Sequence, residues 1–104
     1  MNRSYSDDET IFWDDGKNGR VLKKHGIDLK TAAKVFDDPW PWTTKGLYEN
    51  SDGSFEEQYR TVGMVQGRFI TVASKEVEGI DKIITAWISS KTEIRGYREN
   101  YGKP

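Results

Sequence analysis

The chain has 104 residues, which is enough for one domain around a single hydrophobic core. It contains no cysteine, so disulfides, thiolate metal sites and a cysteine nucleophile are excluded. The formal net charge is −1, which argues against a general nucleic-acid-binding domain, because phosphate contacts normally need an excess of Lys and Arg. Residues 1–57 carry 8 basic and 12 acidic side chains, however, and residues 58–104 carry 8 and 5. The later half is therefore the one suited to face a polyanion.

The sequence contains no membrane signal. No apolar run approaches the roughly 20 residues that a membrane-spanning helix needs, and Met1–Tyr5 has no apolar signal core. We therefore expect a cytoplasmic protein that does not contact membranes. Residues 1–9 are polar and are predicted to form a flexible tail, which leaves residues 10–104 as a single domain.

The first structured elements are predicted to be a strand and two helices. Thr10–Trp13 is a short β-prone run, typical of an edge strand. A helix is expected from Asp14 or Asp15 to His25, because an aspartate can cap its start and Gly26 provides a left-handed stop. A second helix starts from Asp28, ends at Asp38-Pro39 and buries a stripe formed by Leu29, Ala32, Ala33 and Phe36.

After Trp40 the pattern changes to strands and closes with one helix. Tight turns at Gln66-Gly67 and Glu78-Gly79 help to separate four segments rich in β-branched and aromatic residues: Trp42–Tyr48, Glu57–Val65, Phe69–Ser74 and Lys82–Ile88. Ser90 and Glu93 have the spacing of a capping box, which opens the last helix. The order β-α-α-β-β-β-β-α predicts an α+β fold with an antiparallel sheet of four to five strands and helices packed on one face.

Three neighbouring motifs resemble the N-terminal half of the BrnT family. They are Phe12-Trp13-Asp14 with Lys17, the run Lys23–Ile27 and the run Ala32–Pro39. The resemblance is strong over residues 12–39 and looser over residues 56–98. It implies a RelE-like fold and a small ribonuclease that acts as the toxin of a bacterial type II toxin–antitoxin system.

The resemblance also implies a chemistry and a set of partners. The RNA 2′-hydroxyl would attack the adjacent phosphate without a metal ion or another cofactor, and the cut would inhibit translation. Ribosome-associated mRNA is one form that the RNA target could take. A ribbon-helix-helix antitoxin would cover the toxin and neutralise it, and DNA would be contacted only through that antitoxin. A homodimer is a further open alternative.

Several cations are candidates for contacts with RNA. Lys17, Arg20 and Lys24 lie within about 60° of one another on the first helix, a pattern that suits an RNA backbone and equally a solvated helix face. Lys17 and Lys24 match the family pattern, and the resemblance gives Lys24 a part in stabilising the phosphorane, whereas Arg20 is particular to this chain. Further candidates are Arg68, Lys91 and Arg95.

The strand around Arg60 departs from the family pattern. BrnT-like sequences carry an arginine at the position of Gln58. Arg60 lies on the same strand face, about 6.5–7 Å further along. Arg60 either supplies the missing charge as a catalytic residue or is an ordinary exposed strand residue. In the reaction that the resemblance implies, a carboxylate such as Glu57, or Tyr97, would assist proton transfer.

Trp87 marks a second departure. The family signature that aligns with Ile84–Trp87 ends in arginine, and alternation predicts that Ile83, Thr85 and Trp87 share a face. A tryptophan can stack on an unpaired base, a contact worth about 1–3 kcal/mol. It cannot neutralise the charge that develops on a phosphate in the transition state. A residue that only packs against its neighbours is an equally good interpretation.

Two further residues have competing interpretations. Tyr97 matches a family tyrosine, and RelE-like toxins often place a C-terminal tyrosine near the scissile phosphate, which makes it a catalytic candidate. The stripe of Ile94, Tyr97 and Tyr101 is also typical of a helix docked on a sheet, and we favour that reading. His25 is the only histidine, but its place before Gly26 favours a helix cap over a general base.

The two missing arginines leave two functions open. The chain is either a toxin that cuts RNA, or a catalytically weakened or inactive relative that acts as a protein-binding module. The first is the expectation from the resemblance, and the second follows from Gln58 and Trp87.

Overall fold

Residues 42–88 form the main part of a sheet, as their β-branched and aromatic residues predict. The computed structural model describes residues 2–103. Its six strands are β1 Arg3–Tyr5, β2 Ile11–Asp14, β3 Trp42–Glu49, β4 Phe55–Val65, β5 Arg68–Val77 and β6 Ile80–Ile88. The helices are α1 Asp15–His25, α2 Leu29–Ala32, which continues as a 3-10 helix over Ala33–Asp37, and α3 Lys91–Asn100. The strand order across the sheet is β1-β2-β6-β5-β4-β3. The predicted α+β class is confirmed.

The N-terminal part of the sheet differs from the prediction. Arg3–Tyr5, inside the predicted tail, pairs with β2, so the sheet has six strands rather than four to five. β2 is not an edge strand, because it lies between β1 and β6, and it runs parallel to β6 in a sheet whose other neighbours are antiparallel. Ile11, Phe12 and Trp13 are all buried, as expected for a strand that is covered on both faces. The flexibility of the other residues of the tail stays a prediction.

Both predicted tight turns are confirmed. Gln66-Gly67 joins β4 to β5 and Glu78-Gly79 joins β5 to β6, and the φ angles of these residues are 51°, 79°, 53° and 81°. Positive φ at both loop positions is the type I′ geometry, whose twist matches that of the flanking strands. Because these connections are so short, β4, β5 and β6 form a meander.

The two N-terminal helices begin and end where the sequence predicts. Gly26 terminates α1 with a φ of 69°, and His25 is half-buried beside it, at the position predicted for a helix cap. Asp28 caps α2 by accepting the backbone N–H two residues later, at 2.9 Å. The Asn18 side chain accepts the N–H of Leu29 at 2.8 Å, which ties α1 to α2. None of the helices within residues 2–103 is long and apolar enough to cross a membrane.

Helices pack on both faces of the sheet, which corrects the prediction that they share one face. α1, α2 and the 3-10 helix cover one side, which we call the α1 face. The main core lies there, and its sheet residues include Ile70, Val72 and Ala86. The predicted helix stripe is part of this core, since Leu29, Ala32 and Ala33 are buried and Phe36 packs at its margin.

α3 packs on the opposite side, the α3 face. Phe69 points to this side because it alternates with the core residue Ile70. Trp42 points to it because it pairs with Val62, which lies on the face opposite to that of the core residue Val65. Gly96 lies so close to Trp42 that an added Cβ would be 2.2 Å from the ring, and the ring of Tyr97 meets that of Phe69 edge to face at 5.4 Å. The α3 face is thus covered at one end by a helix and open along the rest of the sheet.

A β-bulge in β6 changes which side chains share a face. Ala73 pairs with Thr85 and Ser74 with Ile83, so Ile84 has no partner on β5. The extra residue reverses the alternation. Ile83 therefore belongs to the core of the α1 face, while Trp87 points to the α3 face. The prediction that Ile83 and Trp87 share a face is wrong.

Candidate functional site

Arg60 lies on the α3 face between two aromatic rings. Its guanidinium carbon is 5.2 Å from the ring centroid of Tyr48 on β3 and 5.2 Å from that of Trp87 on β6. We call these three residues the Arg60 patch. The strand register produces the arrangement, since Arg60 pairs with Thr44 on one side and with Ala73 on the other. Because the side chain of Ala73 is small, the guanidinium can reach across β5 towards Trp87.

The charge of Arg60 is available to an external anion. The ion pairs found in residues 2–103 are Lys30–Asp7, Lys45–Glu57, Lys75–Glu56 and Lys82–Asp14, and none of them includes Arg60. The arginine is exposed, and each ring contact is worth about 0.5–1 kcal/mol at an exposed site. A guanidinium that is held in place in this way can bind a phosphate through two parallel hydrogen bonds.

A glycine positions Tyr48. The tyrosine ring folds back along β3 over Gly46, where an added Cβ would lie 2.9 Å from the ring. Any side chain at this position would therefore push the ring away from its place beside Arg60. Tyr48 cannot be identified from the sequence as part of the site, because its position beside Arg60 depends on how β3 pairs with β4.

The cap of α3 positions Trp87. Its indole N–H donates to Oε1 of Glu93 at 3.1 Å, and the same oxygen accepts the backbone N–H of Ser90 at 2.8 Å. The Ser90 hydroxyl accepts the backbone N–H of Glu93 at 3.2 Å, so the predicted capping box is confirmed. The box has a second role that was not predicted, because it fixes the tryptophan that contacts Arg60. Trp87 is half-buried, so it both packs and presents ring surface.

A polar group continues the α3 face beyond the patch. Gln58 donates from its amide to Glu56 at 3.0 Å, and the Lys75 ammonium lies 3.0 Å from the other carboxylate oxygen. The hydrogen bonds from Gln58 and then from Lys75 hold the pKa of Glu56 below its usual range. Gln58, where the resemblance places an arginine, is thus engaged with an ionised carboxylate.

Glu57 does not share a face with Arg60. It pairs opposite Leu47 and forms an ion pair with Lys45 at 3.0 Å. Because successive strand residues point to opposite faces, the carboxylate expected to assist beside Arg60 points away from it. The carboxylate on the correct face is Glu56, about 13 Å along the strand from Arg60. Within residues 2–103 no three His, Asp or Glu side chains are grouped so that they could hold a metal ion.

The basic stripe of α1 lies on the other side of the sheet from the patch. α1 packs on the α1 face, where Val21 is buried. Lys17 is half-buried, and Arg20 and Lys24 are exposed. The sheet separates this stripe from Arg60. A single phosphate therefore cannot contact both.

The remaining candidate cations are also outside the patch. Arg68 begins β5 at the turn, about 17 Å along the β4–β5 pair from Arg60. Lys91 and Arg95 are exposed on the outward side of α3. Of the candidates for RNA contacts, the structure brings Trp87 alone to Arg60.

The hydroxyl of Tyr97 is held by a carboxylate that is distant in the sequence. It is 6% exposed, and its phenol O–H donates to Oδ2 of Asp38 at 2.6 Å. Burial, followed by the hydrogen bond to Asp38 and its negative charge, raises the pKa of Tyr97 well above its ordinary range. The hydroxyl is therefore protonated and already engaged. The reading of Tyr97 as a core residue is confirmed, while Ile94 is half-buried and Tyr101 is 52% exposed.

Asp38 connects three separate parts of the fold. Besides Tyr97 it accepts the backbone N–H of Met64 and that of Trp40, both at 2.8 Å. Burial raises the pKa of Asp38, but the three hydrogen bonds outweigh it and hold that pKa below its usual range. The sequence identified Asp38 only as the end of a helix. No local signal could have revealed its partners, which are 26 and 59 residues away.

The fold and the Arg60 patch define a small α+β protein whose open sheet presents an arginine between aromatic rings. This combination suits the backbone phosphates and bases of a nucleic acid. Residues 13–93 match the model of the ribonuclease toxin BrnT of type II toxin–antitoxin systems, so the chain belongs to the BrnT toxin family. The matched region contains the whole patch. No curated protein matches the chain.

Proposed function

We propose that this toxin binds and cuts RNA on its α3 face. The observation that carries the proposal is the Arg60 patch, in which two rings hold an exposed guanidinium that forms no ion pair with any carboxylate of residues 2–103. Arg60 binds the phosphate at the point of cleavage. Tyr48 and Trp87 stack on adjacent bases, and base stacking on aromatic side chains tolerates many sequences.

The proposed reaction is an attack by the ribose 2′-oxygen on the adjacent phosphorus. The bond to the 5′-oxygen of the next nucleotide breaks, the 2′-hydroxyl loses its proton, and the leaving oxygen gains one. The products are a 2′,3′-cyclic phosphate and a 5′-hydroxyl. Arg60 stabilises the charge that builds up on the phosphate oxygens. We assign the proton transfers to solvent, because Tyr97 is bonded to Asp38 and Glu57 points to the α1 face.

An RNA oligonucleotide incubated with the purified chain in excess EDTA tests this reaction. We expect products that end in a 2′,3′-cyclic phosphate, because the attacking group belongs to the RNA and the positive charge belongs to Arg60. The matched control is the same oligonucleotide with one 2′-deoxy sugar at the cut, which should stay intact there. Cleavage that requires added Mg²⁺, or cleavage at the deoxy position, contradicts the proposal.

A second candidate function is favoured by Gln58 and Trp87. With both family arginines absent and Gln58 bonded to Glu56, Arg60 is the one cation of the patch. The chain would then act as a protein-binding module that does not cut RNA. The same oligonucleotide assay distinguishes the two functions, since this second one gives no products from a chain that melts cooperatively.

We also propose that a cognate ribbon-helix-helix antitoxin covers the patch and stops the inhibition of translation. DNA is then contacted only through the antitoxin. Co-expression with the product of the adjacent gene should give one peak in size-exclusion chromatography at micromolar concentration. Arg60→Glu should weaken that complex, whereas Arg68→Glu, the same charge change about 17 Å away, should not. Separate elution of the two native proteins contradicts this proposal.

A further inference from the structure

The outer edge of β3 carries backbone groups that no strand satisfies within residues 2–103. The backbone N–H of Asn50 donates to the carbonyl of Ser54 at 2.7 Å, which fixes the alternation of the β3–β4 ladder. In an antiparallel pair every second residue bonds its neighbour, so the even residues from Trp42 to Tyr48 face β4. The N–H and C=O groups that point outward belong to Thr43, Lys45, Leu47 and Glu49.

This edge lacks most of the features that usually prevent pairing, although Lys45 is a charged edge residue. β3 has eight residues, its register with β4 contains no bulge, and it includes no proline. The four outward-bonding residues are all exposed, and Leu47 is 66% exposed although it is apolar. An edge of this length with an exposed leucine at its centre is suited to receive another strand.

We propose that the strand it receives is β3 of a second copy of this chain, antiparallel and centred on Leu47. Leu47 then faces Leu47 of the second copy, and Lys45 faces Glu49 on both sides of it. Each of these three facing pairs can exchange two backbone hydrogen bonds, because all of their N–H and C=O groups point outward. The two sheets become one continuous sheet.

The charges select this register among the neighbouring ones. Centring the pair on Lys45 or on Glu49 places two like charges opposite each other. Centring it on Gly46 or on Tyr48 places Leu47 opposite a charge. Only the pairing about Leu47 joins leucine to leucine and lysine to glutamate, and opposite charges across a strand pair stabilise it whereas like charges destabilise it.

The α3 side of the interface is also complementary. In the same register Tyr48 faces Gly46 of the second copy. Gly46 has no side chain that could clash with this tyrosine, and the Tyr48 ring of its own chain already lies over it. Tyr48 belongs to the Arg60 patch, so the dimer sets two patches on one face of a shared sheet. The inference concerns assembly and does not depend on whether the patch cuts RNA.

Sedimentation velocity of the native chain from about 1 to 500 µM tests the proposal. We expect a monomer–dimer equilibrium in the micromolar range, because a single strand pair forms an interface at the small end of specific ones. Glu49→Lys, which places lysine opposite Lys45, should weaken the dimer at least tenfold. Lys45→Glu combined with Glu49→Lys should restore it to within about threefold. Glu99→Lys on α3, the matched charge change, should have no effect.

Leu47→Pro gives an independent test. The N–H that proline removes points outward, so the β4 ladder is kept, and proline is tolerated on edge strands. This variant should melt cooperatively and stay monomeric at 500 µM. A native chain that is monomeric at that concentration overturns the proposal, as does a dimer that is indifferent to Glu49→Lys and to Leu47→Pro.

Discussion

Replacing Gln58 and Trp87 with arginine together is expected to raise RNA cleavage at least tenfold. Both positions lie on the α3 face beside Arg60, and the family resemblance places arginine at both. The ring contact with Arg60 that Trp87→Arg removes is worth only about 0.5–1 kcal/mol. An arginine aimed at the phosphate meets charge that develops in the transition state, where removing one preorganised donor typically costs about 2.7–4 kcal/mol. Tenfold corresponds to only about 1.4 kcal/mol. Growth arrest after induction and RNA integrity on a gel measure the effect.

Arg60→Ala is the companion variant, and it should abolish the activity of the native chain. The matched controls remove charges outside the patch: Arg68→Ala, and Lys17→Ala with Lys24→Ala. They should keep most of the activity, because the sheet or a distance of about 17 Å separates them from Arg60. Vigorous cleavage that is unchanged by Arg60→Ala would contradict the assignment of Arg60 to the site of cleavage. Inactivity of every variant, including the one with arginines restored, would favour the protein-binding module.

Asp38→Ala is expected to lower the free energy of unfolding by about 2–4 kcal/mol. The change leaves the buried Tyr97 hydroxyl and two partly buried backbone N–H groups without their acceptor. Each unsatisfied donor costs about 1–3 kcal/mol when water cannot reach it. Urea denaturation followed by tryptophan fluorescence measures the loss. Tyr97→Phe should cost less, because Asp38 keeps its two backbone partners.

The Tyr97→Phe chain also separates structure from catalysis. If the hydroxyl only holds Asp38, cleavage per folded molecule should equal that of the native chain. A large loss of cleavage at unchanged stability would mean that Tyr97 acts on the substrate.

Because the folded-state pKa of Asp38 lies below its unfolded value, its contribution to stability is present above the ordinary aspartate pKa and is lost as pH falls through the lower folded value. The Asp38→Ala chain should therefore lose less stability on acidification.

The features that the sequence predicted correctly are decided over a few neighbouring residues. Gly26, Asp28 and the Ser90 capping box each act within one helical turn, and the turns at Gln66-Gly67 and Glu78-Gly79 depend on two residues each. Local hydrogen bonding and backbone conformation are enough to fix such elements. The class of fold follows from their order.

The features that it missed depend on pairing between distant segments. The place of β2 beside β6 and the bulge at Ile84 both arise from register, which no local pattern encodes. The packing of α3 on the second face follows from where Trp42 and Phe69 point once the strands are aligned. Helices were predicted on one face from the order of the elements, which does not specify the side of the sheet on which α3 packs.

Only part of the candidate site could be predicted from the sequence. Arg60 and Trp87 were both selected, but their contact runs across Ala73 and required the register of three strands. The structure places Glu57 on the opposite face from Arg60, and this placement could have been predicted from the sequence. Alternation already placed Gln58 with Arg60, and one further step of two residues leads to Glu56 on the same face.

The pairing of β2 with β6 sets the order in which the chain can complete its core. Ile11 pairs with Asp81, so the two strands are joined late, whereas β3 to β6 follow one another through short connections. Contacts between distant residues form more slowly because a long loop must close first. Ile11 and Trp13 belong to the main core, which therefore stays open until β6 has been made. Trp87 lies on that same strand. The pairing of β6 therefore completes two things at once, the core on the α1 face and the contact between Arg60 and Trp87 on the α3 face.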